Sequence, residues 1–399
     1  MNPSHFQAVK VSDRVFWVGA IDWNLRDFHG YLTSRGTTYN AYLIVTDKIT
    51  LVDTVKRPFL DEMLARVRSV VDPSRIDYVV SHHAELDHSG SLPDVLRLVP
   101  KAKVITSKAG WTTLGAHFDL EAPVELVGTG SAVDVGGASL TFHETRMIHW
   151  PESMFSMLDG DGVLFSQDGF GMHLASHERF NDQLPAELLR YEAAKYFANI
   201  LMPMSDLLAR HLGKARDARI IAPDHGPIWR SGIDGLLTDY ETWATRRARR
   251  KLVIAYDTMW QSTAAMARAI AEGAADLGVE VVPMRLGTAH RSDVVTELLD
   301  AAGLLIGTPN LNGQMYPTVA DLLTYLKGLK PRGLVGGAFG SYGWSPAVGP
   351  QIVAALQELK VDLVGEPLLT KFVPRNDSLI ACRAYGEQVA RKILEVVPG

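Results

Sequence analysis

Ser81-His82-His83-Ala84-Glu85-Leu86-Asp87-His88-Ser89-Gly90 follows directly on the β-branched run Ile76-Asp77-Tyr78-Val79-Val80 and decides how the first half of the chain is read. Imidazoles and carboxylates seldom crowd at a strand end unless a cation offsets their repulsion and lost hydration. The spacing His83-x-Glu85-x-Asp87-His88 suits a pair of adjacent metals, because a turn sends alternate side chains to different sides of one cavity. Further candidates stand at later strand ends: His149 in Ile148-His149-Trp150-Pro151, Asp168 in Phe165-Ser166-Gln167-Asp168-Gly169, and His225 in Ala222-Pro223-Asp224-His225-Gly226. Alone, each reads as a turn residue beside Gly or Pro. Together with the first cluster they read as one ligand set.

Around that cluster, up to about residue 250, short β-rich runs such as Val15-Phe16-Trp17-Val18 and Ala41-Tyr42-Leu43-Ile44-Val45 are punctuated by Gly, Asp and Pro. Few helices are expected between them, and no long strand-helix alternation. The clearest helix runs from Ala186 to Leu212, where Leu188, Leu189, Ala193, Tyr196 and Ile200 recur at helical spacing. After Lys251 the rhythm changes. Strands near 252–256, 279–283, 303–307, 333–338 and 361–364 are each followed by helical periodicity, the signature of a doubly wound parallel sheet. Two domains are expected, 1–250 and 251–399, and the basic run Arg246-Arg247-Ala248-Arg249-Arg250-Lys251 before the join reads as a solvated helix end.

In the second half the strand Leu252-Val253-Ile254-Ala255-Tyr256 runs into Asp257-Thr258-Met259-Trp260-Gln261-Ser262-Thr263 and a helix. Hydroxyls and backbone N–H groups at a helix N-terminus bind phosphate. There is neither a G-x-G-x-x-G fingerprint nor a Walker lysine, which favours a mononucleotide over NAD or ATP. The strand-end loops Gly307-Thr308-Pro309-Asn310-Leu311-Asn312-Gly313 and Gly337-Ala338-Phe339-Gly340-Ser341-Tyr342-Gly343-Trp344 belong at the same end of an open sheet. Trp260, Tyr342 and Trp344 read either as ring-flanking residues or as ordinary packing.

Composition narrows the function. The 399 residues, 47% of them apolar, suffice for two or three packed domains. A net charge of −5 gives no general attraction to nucleic acid or to an anionic membrane. Cys382 is the sole cysteine, which excludes an internal disulfide and a thiolate-built zinc or iron–sulfur centre and fits a reducing cytoplasm. Met1-Asn2-Pro3-Ser4-His5 opens a polar stretch, and no apolar run reaches the roughly 18 residues of a membrane helix, so a soluble, unexported chain is expected.

The first half resembles the metallo-β-lactamase superfamily, which implies an αββα sandwich around a dinuclear site. Hydrolases of that superfamily usually carry His where Glu85 stands and bind zinc; a glutamate makes the set harder and more anionic, which suits iron. The H-x-E-x-D-H form is similar to that of the flavodiiron proteins (A-type flavoproteins). So are His29-Gly30-Tyr31, Thr38-Tyr39-Asn40-Ala41-Tyr42-Leu43, His149-Trp150-Pro151-Glu152-Ser153-Met154 and Lys195-Tyr196-Phe197-Ala198-Asn199-Ile200-Leu201. The resemblance implies that His83, Glu85 and His149 hold one iron, that Asp87, His88 and His225 hold the other, and that Asp168 bridges them. It also implies that Tyr196 and His29 lie near a bound diatomic, although Tyr196 reads equally as a helix-core tyrosine. His82, where the family commonly has Asn, is expected to make a hydrogen bond behind the ligands; His173 and His177 are left between such a role and the surface.

The second half resembles flavodoxin, which implies FMN. Its phosphate would lie over Thr258, Met259, Trp260, Gln261, Ser262 and Thr263, and its ring between Thr308, Pro309, Asn310, Leu311 and Asn312 on one side and Gly340, Ser341, Tyr342, Gly343 and Trp344 on the other. The resemblance thus implies reduction of dioxygen to water or of nitric oxide to nitrous oxide, with electrons passing through FMN to a diiron site. A zinc hydrolase fused to a flavodoxin-like module and a non-catalytic redox sensor are the competing readings. Family members pair head to tail, implying a homodimer or dimer of dimers that brings one subunit's FMN to the other's iron. Without C-x-x-C pairs in the chain, a separate donor is expected, a rubredoxin or a flavin reductase, with a deazaflavin donor known in part of the family.

Overall fold

The structure, a computed structural model, describes residues 5–398. Residues 1–4, on which the reading of the polar N-terminus partly rests, lie outside them. By compactness one unit comprises the residues up to His29, Thr33–Tyr196 and Asp206–Glu241; a second comprises Gly30–Leu32, Phe197–Ser205 and the residues from Thr242 on.

In the first unit, Val9–Lys10, Val15–Trp17, Tyr42–Val45, Ile49–Val52, Ile76–Val80, Lys103–Ser107 and Val124–Val127 form one sheet in that order. Ala132–Asp134, Ser139–Glu144, Met154–Leu158, Val163–Gln167 and Ile220–Pro223 form a second. Alternation along the strands makes the layers. Tyr42, Ile44, Val52 and Val80 share a buried cluster with Phe142, Met154, Leu158 and Phe165 of the second sheet. Leu43, Leu51 and Val79 turn the other way, onto Met63, Leu64, Val67, Val95 and Leu114 of the covering helices. This is the layering that the metallo-β-lactamase resemblance implies.

Strand and helix do alternate in this half, contrary to the sequence reading. Helices Leu60–Arg68, Leu92–Leu98 and Lys108–His117 separate the parallel-paired strands Ile49–Val52, Ile76–Val80, Lys103–Ser107 and Val124–Val127. At 9, 7 and 10 residues they are too short for periodicity to show, since it becomes readable over windows of roughly 11–18 residues. The helix expected from Ala186 to Leu212 is also interrupted. It is α-helical over Ala186–Tyr196, opens into a π-turn at Phe197–Leu201 and a 3-10 turn at Met202–Met204, and resumes over Ser205–His211. Pro203 has no N–H to donate and its ring crowds the preceding turn, which accounts for the break.

The second unit is a parallel sheet in the spatial order Glu280–Arg285, Arg249–Tyr256, Ala301–Pro309, Val335–Tyr342, Asp362–Leu363, with Leu368–Lys371 also paired to Val335–Tyr342. The order reverses at Arg249–Tyr256, so the crevice for a ligand opens between its end and that of Ala301–Pro309. All the expected strands are present; Leu368–Lys371 is an addition. Helices Ser262–Ala275 and Asn376–Val396 approach so closely that a Cβ on Gly386 would lie 2.0 Å from the Ile270 carbonyl oxygen, room that only glycine leaves. The basic run is not a helix end. The helix stops at Ala244, and Arg249–Lys251 begin the strand, where Arg249 pairs with Glu280 and Asp300 and Lys251 with Glu297 and Asp300.

Candidate functional site

Both sheets of the first unit deliver the metal-site candidates from loops that leave their strands. Val80 ends its strand, Ser81 N–H still donates to Ile105 of the neighbouring strand, and Glu85 then caps the short helix Leu86–Ser89, which carries Asp87 and His88 on its first turn. Asp168 follows Val163–Gln167 and His225 follows Ile220–Pro223. The structure brings the ligand candidates together in two groups, His83, Glu85, His149 and Asp168 in one and Asp87, His88 and His225 in the other, the ligating atoms of each within 4.8 Å of one another. Asp168 faces both. Its Oδ2 lies 3.3 Å from His83 Nε2 and 3.0 Å from His149 Nε2, while its Oδ1 lies 3.3 Å from His88 Nε2 and 3.4 Å from His225 Nε2. Glu85 Oε2 completes the first group at 3.2 Å from both its histidines, and Asp87 Oδ2 the second at 3.4 and 3.3 Å.

Every histidine of the two groups thus turns Nε2 inward, and the structure shows what holds the other nitrogen in two of them and what stands nearest it in a third. His83 Nδ1–H donates to Glu152 Oε1 at 3.0 Å, His225 Nδ1–H donates to the Thr38 carbonyl at 2.6 Å, and His88 Nδ1 stands 3.5 Å from Asp224. Such partners fix tautomer and ring orientation. Glu152, Asp224 and Thr38 were in stretches that the sequence reading quoted, but nothing in their identity marked them as supports.

The electrostatics are those of a cation site. Burial opposes a charge on Asp168, yet His88 and the imidazoles of His149 and His83 that face its oxygens outweigh it and hold the carboxyl well below its ordinary range. Burial likewise opposes protonation of His88, but Asp87 and Asp168 push its pKa up to about 10. Both oxygens of Asp87, both ring nitrogens of His88 and Asp168 Oδ1 are buried and make no hydrogen bond. Buried polar atoms of this kind call for a ligand.

The remaining predicted residues separate cleanly. His29 Nε2–H donates to Glu85 Oε1 at 2.6 Å on the open side of the site, where the Glu85 and His149 side chains are 12% and 13% exposed. Tyr196 is buried with its ring 6.2 Å from that of His225 and 5.1 Å from that of His173. Its hydroxyl is kept protonated by burial first and then by Asp168, Asp87 and Glu85. His82 belongs to neither group: its Nδ1–H donates to Asp53 Oδ2 at 2.6 Å and Ser156 Oγ lies 2.8 Å from Nε2. His173 is buried against Thr37 Oγ1 at 2.9 Å, also outside both groups, and His177 packs at a tilt against Trp23, ring centroids 5.0 Å apart.

In the second unit a cleft of about 430 Å³ opens at the strand ends, lined by Met259, Trp260 and Ser262, by Pro309 to Asn312, and by Ser341 to Trp344. Ser345, Phe372 and Val373 also line it and escaped the sequence reading, the last two because they follow the unforeseen strand Leu368–Lys371. Thr258, Gln261, Thr263, Thr308 and Gly340 do not line it. Thr263 Oγ1 lies 3.0 Å from Ser341 Oγ and ties the first loop to the last, while Thr308 Oγ1 donates to the Pro309 carbonyl and accepts from Tyr316 N. Gln261 turns the chain at φ 66° into the helix that starts at Ser262. A Cβ on Gly340 would lie 2.3 Å from the Thr308 carbonyl oxygen, so this glycine serves strand packing. Trp260 and Trp344 are 88% and 92% exposed, which rules out the packing alternative for both.

The chain matches an ODP family beta lactamase profile over residues 37–226 and a flavodoxin profile over residues 254–386. It is 43% identical to a nitric oxide reductase of Moorella thermoacetica, covering 98% of this chain and 100% of that one, and 40% identical to a rubredoxin-oxygen oxidoreductase of Megalodesulfovibrio gigas, covering 97% and 98%. The crystal structure of the flavodiiron protein from Giardia intestinalis superposes with a TM-score of 0.96 at 31% identity, over 99% of both chains. Identity at this level over the full span of such relatives shows that the chain belongs to the flavodiiron protein family.

Proposed function

We propose that the protein is an FMN- and diiron-dependent reductase that takes electrons from a separate donor and reduces dioxygen to water, nitric oxide to nitrous oxide, or both. The observation that carries the reading is Asp168, whose two oxygens each face a separate ligand group. A carboxylate so shared suits a metal pair. The unpartnered atoms of Asp87, His88 and Asp168 fit the demand of metal ions, and a set of imidazoles and carboxylates without sulfur suits iron. His83, Glu85 and His149 would hold one ion, Asp87, His88 and His225 the other, and Asp168 both.

When bound, FMN would supply one-electron chemistry and iron a redox-active centre for a diatomic. The chain's own residues position and protect. His29 holds the outward oxygen of Glu85, and Tyr196 offers a protonated hydroxyl beside His225, both as hydrogen-bonding neighbours of a diatomic substrate. At the flavin cleft, the loop Thr258 to Thr263 would hold the FMN phosphate through the Ser262 hydroxyl and the N–H groups at the helix start, while Asn310 to Asn312, Ser341 to Trp344 and the exposed Trp260 would flank the ring. Thr263 supports that loop from behind.

The M. gigas relative's name specifies a rubredoxin donor, and we infer for this chain a rubredoxin or a flavin reductase. We also infer a head-to-tail homodimer, alone or doubled, in which each FMN serves the partner's iron. Net charge −5 argues against nucleic acid. Among the described residues no helix is long and apolar enough to cross a membrane, and the single buried thiol fits the cytoplasm. The zinc-hydrolase reading is disfavoured by Glu85. The test is metal and flavin analysis of the purified protein, followed by oxygen and nitric oxide consumption with a chemical reductant. Iron, FMN and turnover of either gas are expected; zinc without turnover would return the site to hydrolysis.

A further inference from the structure

Glu152 is 2% exposed, and one of its oxygens does all the visible work. Oε1 accepts from His83 Nδ1–H at 3.0 Å and from Ala84 N–H at 3.1 Å, whereas Oε2 makes no hydrogen bond. The residue is itself anchored, because Ser107 Oγ–H donates to its carbonyl at 3.2 Å and Ser153 and Met154 follow it directly into the strand Met154–Leu158. Among the described residues no hydrogen-bonded carboxylate backs the other group. His225 leans on a neutral carbonyl, and His88 has Asp224 only at 3.5 Å, beyond good hydrogen-bond geometry.

The two ligand groups therefore differ in what stands behind them. We propose that Glu152 is a positioning residue that sets the metal affinity of the His83, Glu85 and His149 position alone, by fixing the His83 tautomer and the backbone turn at Ala84. A carboxylate behind a ligating imidazole orients the ring and raises its basicity, and removing such a partner typically weakens metal binding about 10–100-fold. His83 then has no reason to keep Nε2 inward. The proposal rests on the diiron reading above.

The test compares wild type, Glu152→Ala and Glu152→Gln as full-length protein reconstituted with ⁵⁷Fe, each titrated with a ferrous chelator while Mössbauer spectra follow the two iron environments. Wild type must first hold an iron pair with separable environments; if it does not, the diiron reading fails and takes the proposal with it. With wild type loaded, Glu152→Ala should lose one iron environment at about 10–100-fold lower chelator concentration, leaving the second at its wild-type concentration. Glu152→Gln keeps an acceptor oxygen for both N–H groups and should recover most of that loss. Retention of the second iron, whose ligands Asp87, His88 and His225 stand in the same unit as Glu152, reports the folding of that unit, and FMN content reports that of the other. Parallel loss of both irons, unchanged retention of both in Glu152→Ala, or a Gln variant no better than Ala would each overturn the proposal.

Discussion

Five of the seven metal-site candidates, His83, Asp87, His88, Asp168 and His225, are at most 3% exposed, whereas the flavin cleft holds Trp260 and Trp344 at 88% and 92% exposure. The contrast follows from what each site must bind. Ionised side chains taken out of water need compensation at every atom, so the metal cavity is backed by Glu152, Thr38 and Asp224 and knitted across strand ends. A planar ring and a phosphate ask less of the scaffold. Backbone N–H groups, a helix start and flat aromatic faces suffice, and loops of an open sheet supply them. Loss of the one residue shared by both ligand groups should therefore empty the whole metal cavity, loss of a support behind one group only that group's position, while the cleft should degrade residue by residue.

The largest effect is expected at Asp168, which reaches both ligand groups. Asp168→Ala should lower turnover by at least about 100-fold and release iron, with FMN content unchanged; metal analysis beside a turnover assay checks it, and full iron retention would break the contrast. Next comes Ser262→Ala at the helix start, expected to weaken FMN binding about 10-fold, the scale of one hydrogen bond to a charged group, with iron content intact. Fluorescence titration reads it.

Smaller still is Trp344→Ala. At 92% exposure its loss should change the stability of the flavin-free protein by less than about 0.5 kcal/mol, while weakening the cleft for FMN. A larger drop in melting temperature would mean that the indole packs after all. The smallest effect concerns Asp300, where burial would raise the carboxyl's pKa but Lys251 and then Arg249 outweigh it and hold it below the ordinary value. Its contribution should be present above about pH 4 and fade as pH falls through the lowered value. Asp300→Asn should accordingly cost about 1 kcal/mol near neutrality and nothing in strong acid, as melting against pH will show.

Legibility in the sequence followed the same division. His83, Glu85, Asp87 and His88 announced themselves because that density of ligands has no other economical explanation, and His149, Asp168 and His225 joined them only through the pattern. Their supports stayed hidden. Glu152 and Asp224 reach the site through tertiary packing, which local spacing does not encode. In the second unit the long apolar strands were legible and the four-residue Leu368–Lys371 was not, so Phe372 and Val373 were missed with it. Short helices such as Leu92–Leu98 hid for want of length, and the break at Phe197 was overlooked because Leu188 to Ile200 keep an unbroken helical spacing before Pro203 is met.

The central claim is that this buried cavity and this open cleft form one electron path ending at a diatomic gas. It is tested most directly by anaerobic stopped-flow mixing of fully reduced, metal-quantified protein with oxygen and, separately, with nitric oxide, while flavin absorbance is followed. The account predicts iron in both ligand groups, one FMN per chain, and flavin reoxidation by at least one gas far faster than that of free FMN. Zinc in the cavity, with neither gas drawing electrons faster than from free FMN, would contradict it.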